Sequence, residues 1–341
     1  MDSLSQIALG SAVGVAVLGR HAPVWKAALV GAVYGTLPDL DVLLDFGDPI
    51  ANMTRHRAES HAIPWLTLVS PALTWIAMKA LREPMAQFKS WWLAVWLILI
   101  THPLLDWTTI YGTQLWRPFS DQPFGLGSMF IIDPLYTLPL LIALGFAFGK
   151  PPRARIYATL GLAISTAYLV WSAVAQQIVR GAAQDELRRQ GIVAEHLLVT
   201  PTAFNTILWR VVAVSGDSYY EGFRSLLDKT PAIAFDRFPR RNDLLPMLGY
   251  NTPAASLAWF TQGFYKLAEQ DSRVIITDLR MGQEPLYTFN FVVAQRQGDR
   301  LLPTSPERNS FRVPLREGLA WLWPRLLGEP LPPPRGPFNP N

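Results

Sequence analysis

Six apolar stretches, separated by short polar segments, fill the first half of the chain and constrain its fold more than any other feature. They run Ile7–Gly19, Ala27–Leu37, Ala62–Met78, Ser90–Leu105, Pro134–Gly149 and Ile156–Val179. A helix crosses the hydrocarbon layer with about 20 apolar residues. The sixth stretch reaches that length, and the third to fifth reach it once their polar ends are counted. The first two are short and rich in Gly and Ala, which predicts either a tightly packed spanning pair or a short hairpin that re-enters the same side. Charge divides the chain at the same place. Only 21 of residues 1–179 are Lys, Arg, Asp or Glu, against 35 of residues 180–341. The expected fold class is an α-helical polytopic membrane domain of about five or six helices over 1–179, followed by a soluble mixed α/β domain over 180–327. A Pro-rich tail, 328–341, is expected to lack packed structure.

Basic residues sort to one side of these stretches. Arg20 and Lys26 follow the first, Lys79, Arg82 and Lys89 the third, and Lys150, Arg153 and Arg155 the fifth. The positive-inside rule makes that side cytoplasmic. The opposite side holds Asp2, Asp39, Asp41, Asp45, Asp48, Glu59, Asp106 and Asp121, with only Arg55, Arg57 and Arg117 among them. The N-terminus, the loops after the second and fourth stretches, and everything past the sixth are therefore expected outside the cytoplasm. Met1-Asp2-Ser3 lacks the basic segment of a signal peptide, so the first stretch reads as a retained helix. The absence of Cys fits an oxidising compartment and excludes disulfide scaffolds, thiolate zinc sites and Cys nucleophiles. A net charge of +4 is too small to point to nucleic acid.

In the second half, Leu197–Val199, Thr206–Ser215, Ser218–Ser225, Arg273–Leu279 and Leu286–Gln295 have the alternation and the β-branched or aromatic content of strands. Gly181–Gln190 continues the last membrane helix, and Pro253–Glu269 reads as an amphipathic helix.

Chemistry concentrates in three clusters. The chain has five His, and three of them stand at the expected outer helix ends beside carboxylates. Pro38-Asp39-Leu40-Asp41 closes the second stretch, His56-Arg57-Ala58-Glu59-Ser60-His61 leads into the third, and Thr101-His102-Pro103-Leu104-Leu105-Asp106 closes the fourth. Topology read from Lys and Arg alone puts all three at one depth on one side. His102 and Asp106, four apart, share a helix face if the helix continues through Pro103. His56 and His61, five apart, do not, so His56 is expected to reach in from the loop. Imidazole and carboxylate together suit Zn, Mn or Fe. Six ligands, Asp39, Asp41, His56, His61, His102 and Asp106, exceed what one tetrahedral zinc needs, so one or two divalent ions are expected. Each cluster alone also has a plain reading, as a helix-end turn or a structural hydrogen-bonded pair. Asp133, before Pro134, is either a helix N-cap or part of the site. There is no HExxH, Walker A or GxGxxG motif.

These blocks resemble the YdjM-type membrane-bound metal-dependent hydrolases of bacteria. The resemblance covers Met1-Asp2-Ser3-Leu4 and Gly10, Leu37–Asp41, His56-Arg57 with Ser60-His61, and His102–Asp106. It continues through Tyr111-Gly112-Thr113, Trp116 with Pro118-Phe119-Ser120, and Ile132-Asp133-Pro134-Leu135. It implies a polytopic bacterial inner-membrane protein with metal-dependent hydrolase activity. Two departures stand out. Ser5-Gln6 replaces the Thr-His that many members carry, which removes one candidate ligand. Ala58 and Ala62 replace a Gly and a Ser around the two His. A distant similarity to the helical zinc phospholipase C group favours phosphoester cleavage by analogy.

The expected function is a metal-dependent hydrolase acting on a lipid or lipid-linked phosphoester at the outer face of the cytoplasmic membrane. Asp133 or Glu59 would move the proton, and Arg57 and Arg117 would pair with phosphate. The rival is a non-catalytic membrane protein with a structural metal and a partner-binding C-terminal domain. A transporter fits less well, because the acidic groups gather at one interface and not at the midplane.

Overall fold

A computed structural model describes residues 1–309 and 315–335. Two compact units emerge. The first comprises Met1–Leu44, His56–Ala173 and Ala203–Asn205; the second comprises Asp45–Arg55, Val174–Thr202 and the described part of Thr206–Asn341.

The first unit is helical. Helix α1, Ser3–Leu18, opens at Asp2, whose carboxylate accepts the Ser5 N–H and satisfies one of the free donors of the first turn. Helix α2, Val24–Thr36, packs along it as the small residues predicted. A Cβ added at Gly31 would lie 2.1 Å from the Gly10 carbonyl oxygen, so the two backbones touch. Ser11 Oγ donates across the seam to the Ala28 carbonyl at 3.0 Å. Helix α3, Pro49–Arg55, falls in the second unit. Helices α4, Ile63–Leu81, α5, Phe88–Trp107, and α6, Pro134–Gly149, complete the bundle. Its core is built on Trp91, Val95, Ile98 and Leu99 of α5, with Leu9, Ala12 and Val13 of α1 and Leu140 of α6.

Helix α7, Ala154–Arg189, starts in the first unit and ends in the second. Ile156, Leu160, Ile164, Val170, Trp171, Val174 and Ile178 are exposed along it, as lipid-facing residues would be. Among the described residues two helical segments are long and apolar enough to cross a membrane, Met85–Trp107 and Pro151–Arg189. Helices α1 and α6 are apolar but shorter.

The second unit is β-rich. Strands β1, His196–Pro201, β2, Leu208–Ser215, β3, Ser218–Ser225, and β4, Phe235–Pro239, form an antiparallel meander in that order. A second antiparallel sheet has the order β10-β9-β6-β5, with β5 Tyr265–Gln270, β6 Arg273–Asp278, β9 Asn290–Gln297 and β10 Arg300–Arg308. Between them in sequence lie the short helices α8, Leu244–Leu248, and α9, Pro253–Phe260; the two-residue strands β7, Gly282–Gln283, and β8, Leu286–Tyr287, make a small hairpin. Helix α10, Leu315–Leu326, follows.

One expected helix is shortened and two strands are added. The helix expected over Pro253–Glu269 stops at Phe260, because Gln262 and Gly263 take positive φ (54° and 86°), and its second half becomes β5. Strands β4 and β10 were not anticipated. Both are edge strands, and β10 carries Pro303 and Pro306, a residue that sheets tolerate at their edges. In the tail, Arg335 is held by ion pairs to Glu221 and Asp236; residues 336–341 lie outside the described residues.

Candidate metal centre

Local sequence aims four side chains at one point. Pro38 turns the end of α2 into a 3-10 segment, Leu37–Leu43, that carries Asp39 and Asp41. A second 3-10 turn, Glu59–His61, presents His61. Helix α5 continues through Pro103, so His102 and Asp106 share a face with Nε2 and Oδ2 3.4 Å apart. One ligand atom from each of Asp39, His61, His102 and Asp106 lies within 4.8 Å of all the others. His61, His102 and Asp106 are buried, whereas Asp39 keeps 21% of its side chain exposed.

The hydrogen-bond partners decide the tautomers. His102 Nδ1 lies 2.6 Å from the Gly35 carbonyl oxygen, which can only accept, so Nδ1 carries the proton. Ser60 Oγ donates to Asp41 Oδ2 at 2.6 Å. Its oxygen is then the acceptor for His61 Nδ1, 2.9 Å away. In their neutral forms both imidazoles turn an unprotonated Nε2 inward, and the two atoms are 3.1 Å apart. Two facing lone pairs repel unless a cation lies between them. The same Nε2 atoms lie 3.3 and 3.5 Å from Asp39 Oδ1, and 3.2 and 3.4 Å from Asp106 Oδ2. A tetrahedral zinc with bonds of about 2.0–2.1 Å separates its ligand atoms by roughly 3.3–3.4 Å. The four residues thus fit a divalent ion in donor type, and the five distances that include an imidazole nitrogen are close to its ligand spacing.

Asp41 and His56, expected in the ligand set, stand outside the converging group as a pair, with Nδ1 2.7 Å from Oδ1. Asp41 also accepts the Arg57 N–H at 2.9 Å. Its place is behind His61, reached through Ser60. Glu59 is largely exposed and faces Arg117 at 3.3 Å. Arg117 also donates to Gln114, and neither residue is brought to the centre. Asp133 is buried and caps α6, accepting the Leu135 N–H at 3.0 Å and the Tyr168 hydroxyl at 2.9 Å. Burial pushes its carboxyl above the usual range, and those two bonds only partly oppose this.

Arg57 is at the centre. Its guanidinium lies over the Tyr111 ring, 5.0 Å from the centroid, and Nη2 is 3.4 Å from Asp106 Oδ1. Only 6% of the residue is exposed, yet Nε and Nη1 have no hydrogen-bond acceptor. Sequence reasoning missed three further participants. Gln6 gives its amide N–H bonds to the His102 carbonyl and to Asp106 Oδ1, both at 3.2 Å. That pins Oε1, which is buried and unpartnered. The amino group of Met1 contacts Asp106 Oδ1. Ser60 orients His61. All three lie in blocks that the resemblance or its departures had marked, but nothing in the sequence gave them a role.

A family model described as YdjM inner membrane protein matches residues 1–179, a range that contains every residue of this centre. The chain belongs to the YdjM inner membrane protein family. It is a membrane protein with a buried His/Asp cluster able to hold a metal ion. Beyond the YdjM match, it is 26% identical to the uncharacterized protein YfhP of Bacillus subtilis (strain 168) over 238 residues, which are 65% of this chain and 68% of that protein. No solved structure matches it.

Proposed function

We propose that this chain is a metal-dependent hydrolase of the bacterial cytoplasmic membrane, multi-pass, with its C-terminal domain outside the cytoplasm. Its substrate is a phosphoester of a lipid or lipid-linked molecule. The observation that carries this reading is a juxtaposition: imidazole and carboxylate lone pairs converge beside a buried guanidinium whose Nε–H and Nη1–H have no acceptor. Asp39, His61, His102 and Asp106 would hold the ion, zinc by donor set and spacing. A divalent ion there supplies Lewis acidity, which makes water a better nucleophile and steadies developing negative charge.

The chain's own residues supply the rest. Arg57 Nε–H and Nη1–H lie on different edges of the guanidinium and each can donate to one anionic oxygen, and burial strengthens such bonds. His56, oriented by Asp41 and partly exposed, is better placed than Asp133 or Glu59 to move a proton. The first of those carboxylates is engaged at a helix cap and the second faces Arg117. Asp39 is the member of the four that solvent reaches, and Leu40, Val42, Leu43 and Leu44 beside it are all exposed. An apolar rim next to the open side favours an amphiphilic substrate over a water-soluble one.

A second reading is favoured by one observation. Four protein ligands already complete a tetrahedron, as in structural zinc sites, and the ion would then serve folding alone. Elemental analysis and activity separate the two readings. The purified protein is expected to carry about one ion per chain and to cleave lipid phosphoesters. His61→Ala is expected to carry almost none. Arg57→Gln should keep the ion and lose at least about 100-fold in activity. Negligible metal in the unmodified protein would sink the site. A full ion content with no hydrolysis of any phosphoester would leave the structural reading.

A further inference from the structure

The C-terminal domain holds a second charged site. Residues Glu329–Arg335 leave α10 with neither helix nor strand. Pro332, Pro333 and Pro334 lack backbone donors and favour the extended polyproline conformation. The segment's backbone bonds stay local, Glu329 N–H to Pro324 and Leu331 N–H to Glu329. Leu331 and Pro332 are exposed. Among the described residues the polar tie between this strap and the sheets is the side chain of Arg335.

That side chain enters a receptor complete for a guanidinium. Nη1 donates to Glu221 Oε1 at 2.5 Å and to the Glu284 carbonyl at 3.0 Å. Nη2 and Nε donate to Asp236 Oδ2 at 2.8 and 3.3 Å. The guanidinium carbon lies 4.9 Å above the Phe238 ring, which is stacked on Tyr219. The receptor has its own supports. Arg210 Nε holds Glu221 Oε2 at 2.6 Å, and Lys266 and Tyr219 hold the Glu284 carboxylate. Its shape therefore does not depend on the strap. Glu221 is fully buried, and its Oε1, which also accepts the Glu284 N–H at 3.2 Å, is left facing the receptor as an acceptor suited to a cationic donor.

We propose that Glu221, Asp236, Phe238 and the Glu284 carbonyl form a guanidinium-recognition site, that Arg335 fills it as a tethered and displaceable ligand, and that it accepts arginine from a Pro-rich peptide when the strap is released. The full-length protein in detergent is titrated against a fluorescent peptide of sequence EPLPPPRG, read by anisotropy. In the unmodified chain the tethered Arg335 competes at an effective concentration on the order of millimolar. Arg335→Ala should therefore bind the peptide at least about 10-fold more tightly than wild type. Adding Glu221→Gln to that variant should abolish the gain, and a peptide with Lys in place of Arg should bind more weakly. A chain ending at Gly328 must behave as Arg335→Ala does. Equal, weak binding by wild type and both strap variants, all folded by circular dichroism, would overturn the proposal and leave Arg335 a structural tie.

Discussion

Neutral atoms decide what the charged ones can do at this centre. His61 can present Nε2 as a lone pair because Ser60 passes Asp41's demand for a proton on to Nδ1. His102 does so because the Gly35 carbonyl can only accept. Partners of this kind typically account for a ten- to hundredfold change in metal affinity. Ser60→Ala is accordingly expected to weaken zinc binding by about that factor without unfolding the chain, measured by competition with a chromogenic chelator. Unchanged affinity would mean that His61 is oriented by packing alone. The four converging residues stood out in the sequence because ionisable residues at the ends of long apolar stretches are costly and have few innocent explanations. Asp41 and His56 looked like ligands for the same reason. Their removal from the group depends on a turn geometry that spacing does not encode. Gln6 and Ser60 were illegible because a neutral side chain gains its role only from the partner that the fold brings to it.

Between elements, the α1–α2 contact sets the position of two parts of the site. Helix α1 carries Gln6, and α2 runs into the turn that holds Asp39. At Gly31 a methyl group would meet backbone atoms of Gly10 and Ser11 at 2.1–2.5 Å, and backbone cannot rotate away. Gly31→Ala should cost about 1–3 kcal/mol through overpacking and should lower metal content along with the melting temperature. Gly145→Ala in α6 is the matched control, since nothing lies within 4 Å of the added carbon. It should be neutral or gain up to about 1 kcal/mol from helix propensity. Similar losses in both would remove the argument for close backbone packing. The small-residue pattern of the first two stretches, and their pairing with each other, were readable in the sequence. Edge strands β4 and β10 show the opposite case. With one side unpaired they need neither alternation nor freedom from Pro, so little marks them in sequence.

For the molecule as a whole, the two solvents imply different sensitivities. In the C-terminal domain the Glu221 carboxyl is buried, which by itself would raise its pKa, but Arg210 and Arg335 outweigh that and hold it below the ordinary glutamate range. A folded pKa below the unfolded one stabilises the fold above about pH 4.3, and this contribution is lost as pH falls from there through the folded value. Thermal melts of the full chain between pH 7 and pH 3 should show the β signal losing stability in that window. Glu221→Gln should start about 3–5 kcal/mol lower at neutral pH and fall less on acidification. A parallel decline in both proteins would assign the acid sensitivity elsewhere. The sequence by itself determined the division into an apolar helical half and a more charged half, because transfer from water to lipid is priced residue by residue. It also determined which His and Asp could matter. Only the tertiary structure decided that four of the six converge, that Arg57 is buried with donors unspent, and that Arg335 fills a pocket of carboxylates. Those outcomes are pairings between residues far apart in the chain, and a hydrogen bond or ion pair has no local signature until its partner arrives.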